Sequence, residues 1–305
     1  RLYWLKGVGD NMKKYSDIAG DGGSNIVAQV VAQRDRLKSR MDRIKYKVAV
    51  MSGKGGVGKS AVTVNLSALL AMRGYKVGIA DADLNGPSVA KMTGVRGIKL
   101  DASEDGILPA TGYYGMKVMS MDMLLPFDET PLAWNGPSST HAWVGTAEMG
   151  TVRELLTDTC WGELDILFLD LPPGPNRLND IINLIPCLNG VIMVTIPSEV
   201  SELVVMKSIS LVKELNIPVI GLIENMGGYI CKRCGNEEPL FPDGSVKEMS
   251  AIMDIPYLGK IPFDPLISMT LDKGASFLSE AKGSPSAKAI MEIGERVAEF
   301  LGGER

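Results

Sequence analysis

Residues 50–66 read VMSGKGGVGKSAVTVNL. An apolar stretch enters a glycine-rich loop, and the loop enters a segment with helix-like spacing. Gly53, Lys54, Gly55, Gly56, Val57, Gly58, Lys59 and Ser60 fit the pattern G-x-x-x-x-G-K-[ST]. Such a loop has one structural setting, between the end of a buried strand and the start of a helix. Its glycines let the backbone curl so that several N–H groups point inward, toward an anion. This segment therefore demands an α/β fold with a phosphate site at a strand's carboxyl end.

The rest of the chain agrees. Short, almost wholly apolar runs at Val48–Ser52, Val77–Ala80, Ile166–Asp170, Val191–Ile196, Val219–Glu224 and Tyr257–Ile261 read as strands buried on both faces. Lys117–Met121 is a weaker seventh. Helical spacing falls between them at Ser60–Met72, Thr146–Asp158, Val200–Leu215, Ser245–Met253 and Ser286–Leu301. The alternation predicts a doubly wound, mostly parallel sheet flanked by helices, with ligands gathered at the strands' carboxyl ends. Asp83 to Leu164 exceeds one crossover, so it should hold an insertion with an extra strand. The expected organisation is an extension over 1–45, with an amphipathic basic helix, and one domain over 46–305.

Charge and cysteine usage narrow the partners. A formal net charge of −4 over 305 residues disfavours nucleic acid, and the basic run Arg34–Lys47 reads as a solvated helix leading into the first strand. No run of 18 uncharged apolar residues predicts a membrane span, and no signal peptide is visible. Four cysteines are too few for a disulfide scaffold, so the expected compartment is the reducing cytoplasm.

Within the loop, Lys59 should neutralise β- and γ-phosphates and the Ser60 hydroxyl should bind Mg²⁺. Asp81 and Asp83 follow one strand and Asp170 ends another, where a metal-bound water needs carboxylate acceptors. Cys231 and Cys234 form a C-x-x-C, half of a four-thiolate site. A two-fold dimer would supply the other half, for an iron–sulfur cluster or for tetrahedral zinc; a redox disulfide is a third use. His141, the single histidine, reads as a packing or surface residue.

Lys54 adds a second lysine, and GKGGVGKS resembles the deviant Walker A loop of the P-loop ATPases that include MinD, ParA and the nitrogenase iron protein. That resemblance implies an ATP-dependent homodimer in which Lys54 reaches the partner's nucleotide. It also implies a Mg²⁺ role for Asp170 with Asp81 in support, and a water-orienting role for Asp83. Asn225 would read the adenine edge beside Pro262 and Asp264.

The order of the deviant loop, DADLNGPS, WGELDILFLDLPPG, ENM, the C-x-x-C and IPFDP resembles the Mrp/ApbC-type iron–sulfur cluster carrier ATPases from about Lys45 onward. It implies a slow ATPase that holds a [4Fe–4S] cluster between two chains and passes it to apo-proteins. The chain departs from that pattern at Asn135, at Pro175-Asn176-Arg177 and at Lys232. A MinD- or ParA-like positioning ATPase is the competing reading. Against it, the terminal segment SAKAIMEIGERVAEFLGGER holds three basic and four acidic residues, a poor membrane anchor, and the C-x-x-C is left unexplained. A nucleotide-controlled dimer with structural zinc is the other.

Overall fold

The computed structural model describes residues 26–124, 141–174, 178–231, 233–241 and 245–302. Helix α1 (Ile26–Asp42) leads into β1 (Ile44–Ser52), followed by α2 (Lys59–Met72), β2 (Val77–Asp81) and the short α3 (Val89–Met92). The insertion holds β3 (Ala102–Ser103), β4 (Gly106–Ile107), β5 (Ala110–Thr111) and β6 (Lys117–Ser120), then α4 (His141–Asp158). The second half runs β7 (Leu164–Asp170), α5 (Leu178–Leu184), β8 (Gly190–Thr195), α6 (Glu199–Glu214), β9 (Val219–Ile230) and β10 (Glu237–Glu238). It closes with α7 (Val246–Ile252), β11 (Tyr257–Phe263), α8 (Pro265–Asp272), α9 (Phe277–Glu280) and α10 (Pro285–Phe300).

One sheet carries the order β5-β6-β2-β7-β1-β8-β9, with β11 parallel to β9 and β10 hooked antiparallel onto the far end of β9. The pairings from β6 across to β11 are parallel; β5 runs antiparallel on one edge. Period-two alternation divides the core. Val48, Val50, Ile79, Phe168, Ile192 and Val194 pack with α2 and α10 on one face. Ala49, Met51, Ala80, Leu167, Leu169 and Met193 pack with α1, α4 and α6 on the other. Burial on both faces is why these strands read as unbroken apolar runs.

Three expectations shift. The basic run Arg34–Lys47 is split: α1 ends at Asp42, and Ile44–Lys47 already belong to β1. The helix is not simply solvated, because Leu37 and Met41 are buried and Arg40 Nε donates to the Thr157 carbonyl at 2.6 Å. Helix α4 begins at His141, five residues before Thr146. Strand β9 continues to Ile230, six residues past Glu224. Among the described residues no helix is long and apolar enough to cross a membrane.

Candidate functional site

Parallel strands put all their carboxyl ends on one edge, and the candidate residues collect there. Register places Asp170 at the end of β7 beside Val50 of β1 and Asp81 of β2, and Asp81 beside Ser120 of β6. The loop Gly53–Ser60 closes β1 and opens α2. Gly56 (φ 77°) and Gly58 (φ 80°) adopt the left-handed conformation, and Gly58 caps α2 with no side-chain partner for the first-turn N–H groups. Gly53 abuts α6, where an added Cβ would stand 3.0 Å from the Val205 backbone nitrogen.

Lys59 and Asp170 form a buried pair, Nζ to Oδ1 2.8 Å, at 6% and 0% side-chain exposure. Ser60 Oγ donates to Asp170 Oδ2 at 2.5 Å, and Thr63 Oγ1 donates to Oδ1 at 2.9 Å. Thr63 was not singled out from the sequence. Its position three residues beyond Ser60, on the same face of α2, was the available signal.

Asp81 is buried, and its carboxylate accepts from the backbone N–H of Ser88, Val89 and Asp83 and from Ser120 Oγ at 3.0–3.2 Å. Burial, with the Asp170 charge adding to it, pushes its carboxyl up to about 7. Asp81 thus organises the turn that carries Asp83. Asp83 itself is half-buried at the rim. Asn85, one turn further, donates to the buried Glu148 of α4 at 3.2 Å, a contact between distant segments that spacing does not announce.

Lys54 is half-exposed beside the exposed Gly55 and Gly56, and its side chain makes no hydrogen bond or ion pair among the described residues. The structure therefore does not bring it into the Lys59–Asp170 cluster of its own chain. Its carbonyl accepts from Ser52 Oγ at 2.9 Å.

A cleft of about 200 Å³ opens beside Gly58, lined by Asn225, Met226, Pro262, Asp264 and Ile267 among others. The structure brings together here the three residues expected to hold a base. Asn225 Nδ2 donates to the Val57 carbonyl at 2.8 Å, which turns its Oδ1 the other way. A Cβ on Gly58 would collide with that amide. Asp264 caps α8, accepting from Leu266 N at 3.0 Å.

Cys231 and Cys234 sit at the tip of the β9–β10 hairpin, which is closed by Cys231 N–H to Asn236 O (2.9 Å) and Gly235 N–H to Cys231 O (2.8 Å). Both are free thiols, Cys234 exposed and Cys231 partly so. The backbone N–H groups of Cys234 and Arg233, helped by the Cys234 side chain, hold the Cys231 thiol below its usual range. Cys160 lies away from the hairpin, its N–H bonded to Ile107 O at 2.7 Å. Among the described residues no group of three or more His, Cys, Asp and Glu could hold a metal ion. Asn135, Pro175-Asn176-Arg177, Lys232 and the His141 side chain lie outside what is described.

The donors fit a magnesium nucleotide. Ser60 Oγ and the Asp170 carboxylate adjoin at the start of α2, an all-oxygen pair of the kind a hard cation takes, and Lys59 supplies a positive charge beside N–H groups that no side chain caps.

Comparison with known proteins identifies the family. Residues 43–298 match the family model described as NUBPL iron-transfer P-loop NTPase, of the ParA group. An iron–sulfur cluster carrier protein of Saccharolobus solfataricus is 42% identical over 274 residues, 90% of each chain. One from Methanocaldococcus jannaschii is 41% identical over 280 residues, 91% of this chain and 92% of the relative. Among solved structures, a nucleotide-binding protein from Archaeoglobus fulgidus in complex with ADP superimposes with a TM-score of 0.67 at 34% identity, covering 79% of this chain and 91% of that one. The septum site-determining protein MinD of Pyrococcus horikoshii, complexed with Mg-ADP, gives 0.61 at 24% identity, covering 84% and 97%, a likeness of fold alone. With 256 of its residues inside that family model and relatives above 40% identity along nine-tenths of its length, the chain belongs to the NUBPL-type iron-transfer P-loop NTPases.

Proposed function

We propose that the chain is a homodimeric, slow ATPase that holds a [4Fe–4S] cluster between two copies and delivers it to apo-proteins. The observation that carries this reading is the placement of the cysteine pair. Cys231 and Cys234 occupy the exposed tip of a hairpin that grows from the same strand as Asn225, in a chain of an iron-transfer family. Two thiols make half a ligand set, and a second copy related by a two-fold axis supplies the rest. The cluster is cargo, bound by thiolates and surrendered by ligand exchange.

In this reading Lys59 neutralises the β- and γ-phosphates, and Ser60 and Asp170 hold Mg²⁺ with Asp81 behind them. Mg²⁺, when bound, supplies charge neutralisation on the phosphate oxygens. Asp83 orients the attacking water. Lys54, unengaged among the described residues of its own chain, serves the partner's nucleotide. Asn225, Pro262 and Asp264 receive the base, with the Asn225 Oδ1 accepting from an exocyclic amine.

The test is anaerobic reconstitution with iron and sulfide, comparing the wild type with the Cys231→Ala/Cys234→Ala double variant. The expected outcome is one cluster per dimer by absorbance and metal content, lost in the variant. Stoichiometric zinc without a cluster would overturn the carrier reading and leave a nucleotide-controlled dimer.

A further inference from the structure

Five residues separate Asn225 in the base cleft from Cys231 at the hairpin tip, and the strand between them is irregular. Ile261 of β11 pairs with Asn225 and Phe263 pairs with Tyr229, so β9 advances four residues while β11 advances two. The extra residues form a bulge at Met226–Gly228. Met226 has φ 54°. Among the described residues, three other non-glycine residues have positive φ: Tyr114 in a short 3₁₀ turn, and Asn216 and Asp254 just after helices. Met226 holds a left-handed backbone inside a strand, with no short polar side chain to compensate. The same residue lines the base cleft.

Beyond Met226, side chains crowd the two glycines of the strand. A Cβ on Gly227 would collide with the Lys260 stem and the Glu224 carboxylate, and one on Gly228 would stand 2.7 Å from Glu237 Oε1. Lys260 of β11 is ion-paired with Glu237 of β10, three residues after Cys234. Glu224, the neighbour of Asn225, accepts from Tyr257 Oη at 2.7 Å. The cysteine hairpin is thus latched to β11, whose next residues, Ile261 and Pro262, line the cleft.

We propose that the Met226–Gly228 bulge, latched by Lys260–Glu237, is the joint through which a nucleotide in the cleft repositions the Cys231–Cys234 thiols. A base seated against Asn225 and Pro262 meets Met226 on one side and β11 on the other. Both lead directly into the hairpin, so displacement at either reaches the thiols without crossing the sheet. The coupling is reciprocal: a cluster held between hairpins changes nucleotide affinity by the same factor that nucleotide changes cluster affinity. Met226 and Lys260 are positioning residues here. This inference rests on the carrier reading.

The experiment uses the full chain, anaerobically reconstituted, with a non-hydrolysable ATP analogue and Mg²⁺ as the probe. Two quantities are read in wild type, Met226→Gly and Lys260→Met: analogue affinity with and without cluster, and cluster loss to an iron chelator with and without analogue. The wild type should show a ratio of about fivefold or more in each, and both variants should fall to within about twofold of unity. Glycine removes the strain that stiffens the joint; methionine removes the latch but keeps the stem. Wild-type ratios retained in both variants, or ratios of one in a cluster-loaded wild type, overturn the joint and leave the carrier reading intact. Failure of the wild type to take up any cluster overturns both.

Discussion

Lys59 Nζ lies 2.8 Å from Asp170 Oδ1 in a setting where neither side chain has more than 6% exposure. Such a pair has lost the hydration of both charges, so its net stabilisation is small while the cost of breaking it is large. Lys59→Met should therefore destabilise the nucleotide-free protein by about 3–5 kcal/mol, because the Asp170 charge is left with only hydroxyl donors. Lys59→Met/Asp170→Asn should recover much of that loss, though neither variant would bind nucleotide. Urea denaturation of the nucleotide-free proteins checks this, and a double variant as unstable as the single one would refute it.

Gly58 carries two separable constraints. Its φ of 80° penalises any L-residue, and a Cβ there would also displace the Asn225 amide. Gly283 has φ 86° with open space around it, so it isolates the first constraint. Gly283→Ala should cost about 1–2 kcal/mol with nucleotide affinity unchanged. Gly58→Ala should cost more and should weaken analogue binding by at least about tenfold, the equivalent of one lost hydrogen bond to the base. Thermal unfolding and calorimetric titration of both variants separate the two effects.

What the sequence made legible follows from how local each constraint is. The loop Gly53–Ser60, the paired Asp81 and Asp83 and the terminal Asp170 all sit where an apolar run ends, so strand ends could be read directly. Ser120 and Glu148 were missed because their roles come from register and helix docking, Ser120 against Asp81 and Glu148 against Asn85. Strand β9 read as ending at Glu224 because Gly227-Gly228 looks like a break. The strand instead runs through both glycines, where an added Cβ at Gly227 would meet the Lys260 stem and one at Gly228 the Glu237 carboxylate. Helix α8 has a weak signature in the sequence because it is only eight residues long and begins directly after the IPFD segment.

Lys54 offers a prediction that depends on assembly. If Lys54 acts on the partner's nucleotide and Asp83 on its own, Lys54→Ala and Asp83→Ala should each be inactive alone yet complement when mixed. A heterodimer has one site with both residues and one with neither. Random one-to-one exchange makes half the dimers heterodimers, so phosphate release should recover to about a quarter of wild type. No recovery after demonstrated subunit exchange would place Lys54 in its own chain's site.

Glu224 gives the pH dependence. Burial raises its carboxyl above the ordinary value, while the Tyr257 hydroxyl and Lys260 ammonium oppose the shift and the Glu237 charge adds to it. An acid whose folded-state value is raised favours folding when protonated. Its contribution is complete below the unfolded value near 4.5 and is lost as pH rises through the raised one. Glu224→Gln keeps an acceptor for Tyr257 and cannot ionise, so it should gain stability relative to wild type at pH 8 compared with pH 5. The check is the difference in thermal midpoint between the two proteins, followed across that range without nucleotide. A difference that stays flat, or that favours the wild type at high pH, would show that Lys260 and Tyr257 outweigh burial at Glu224.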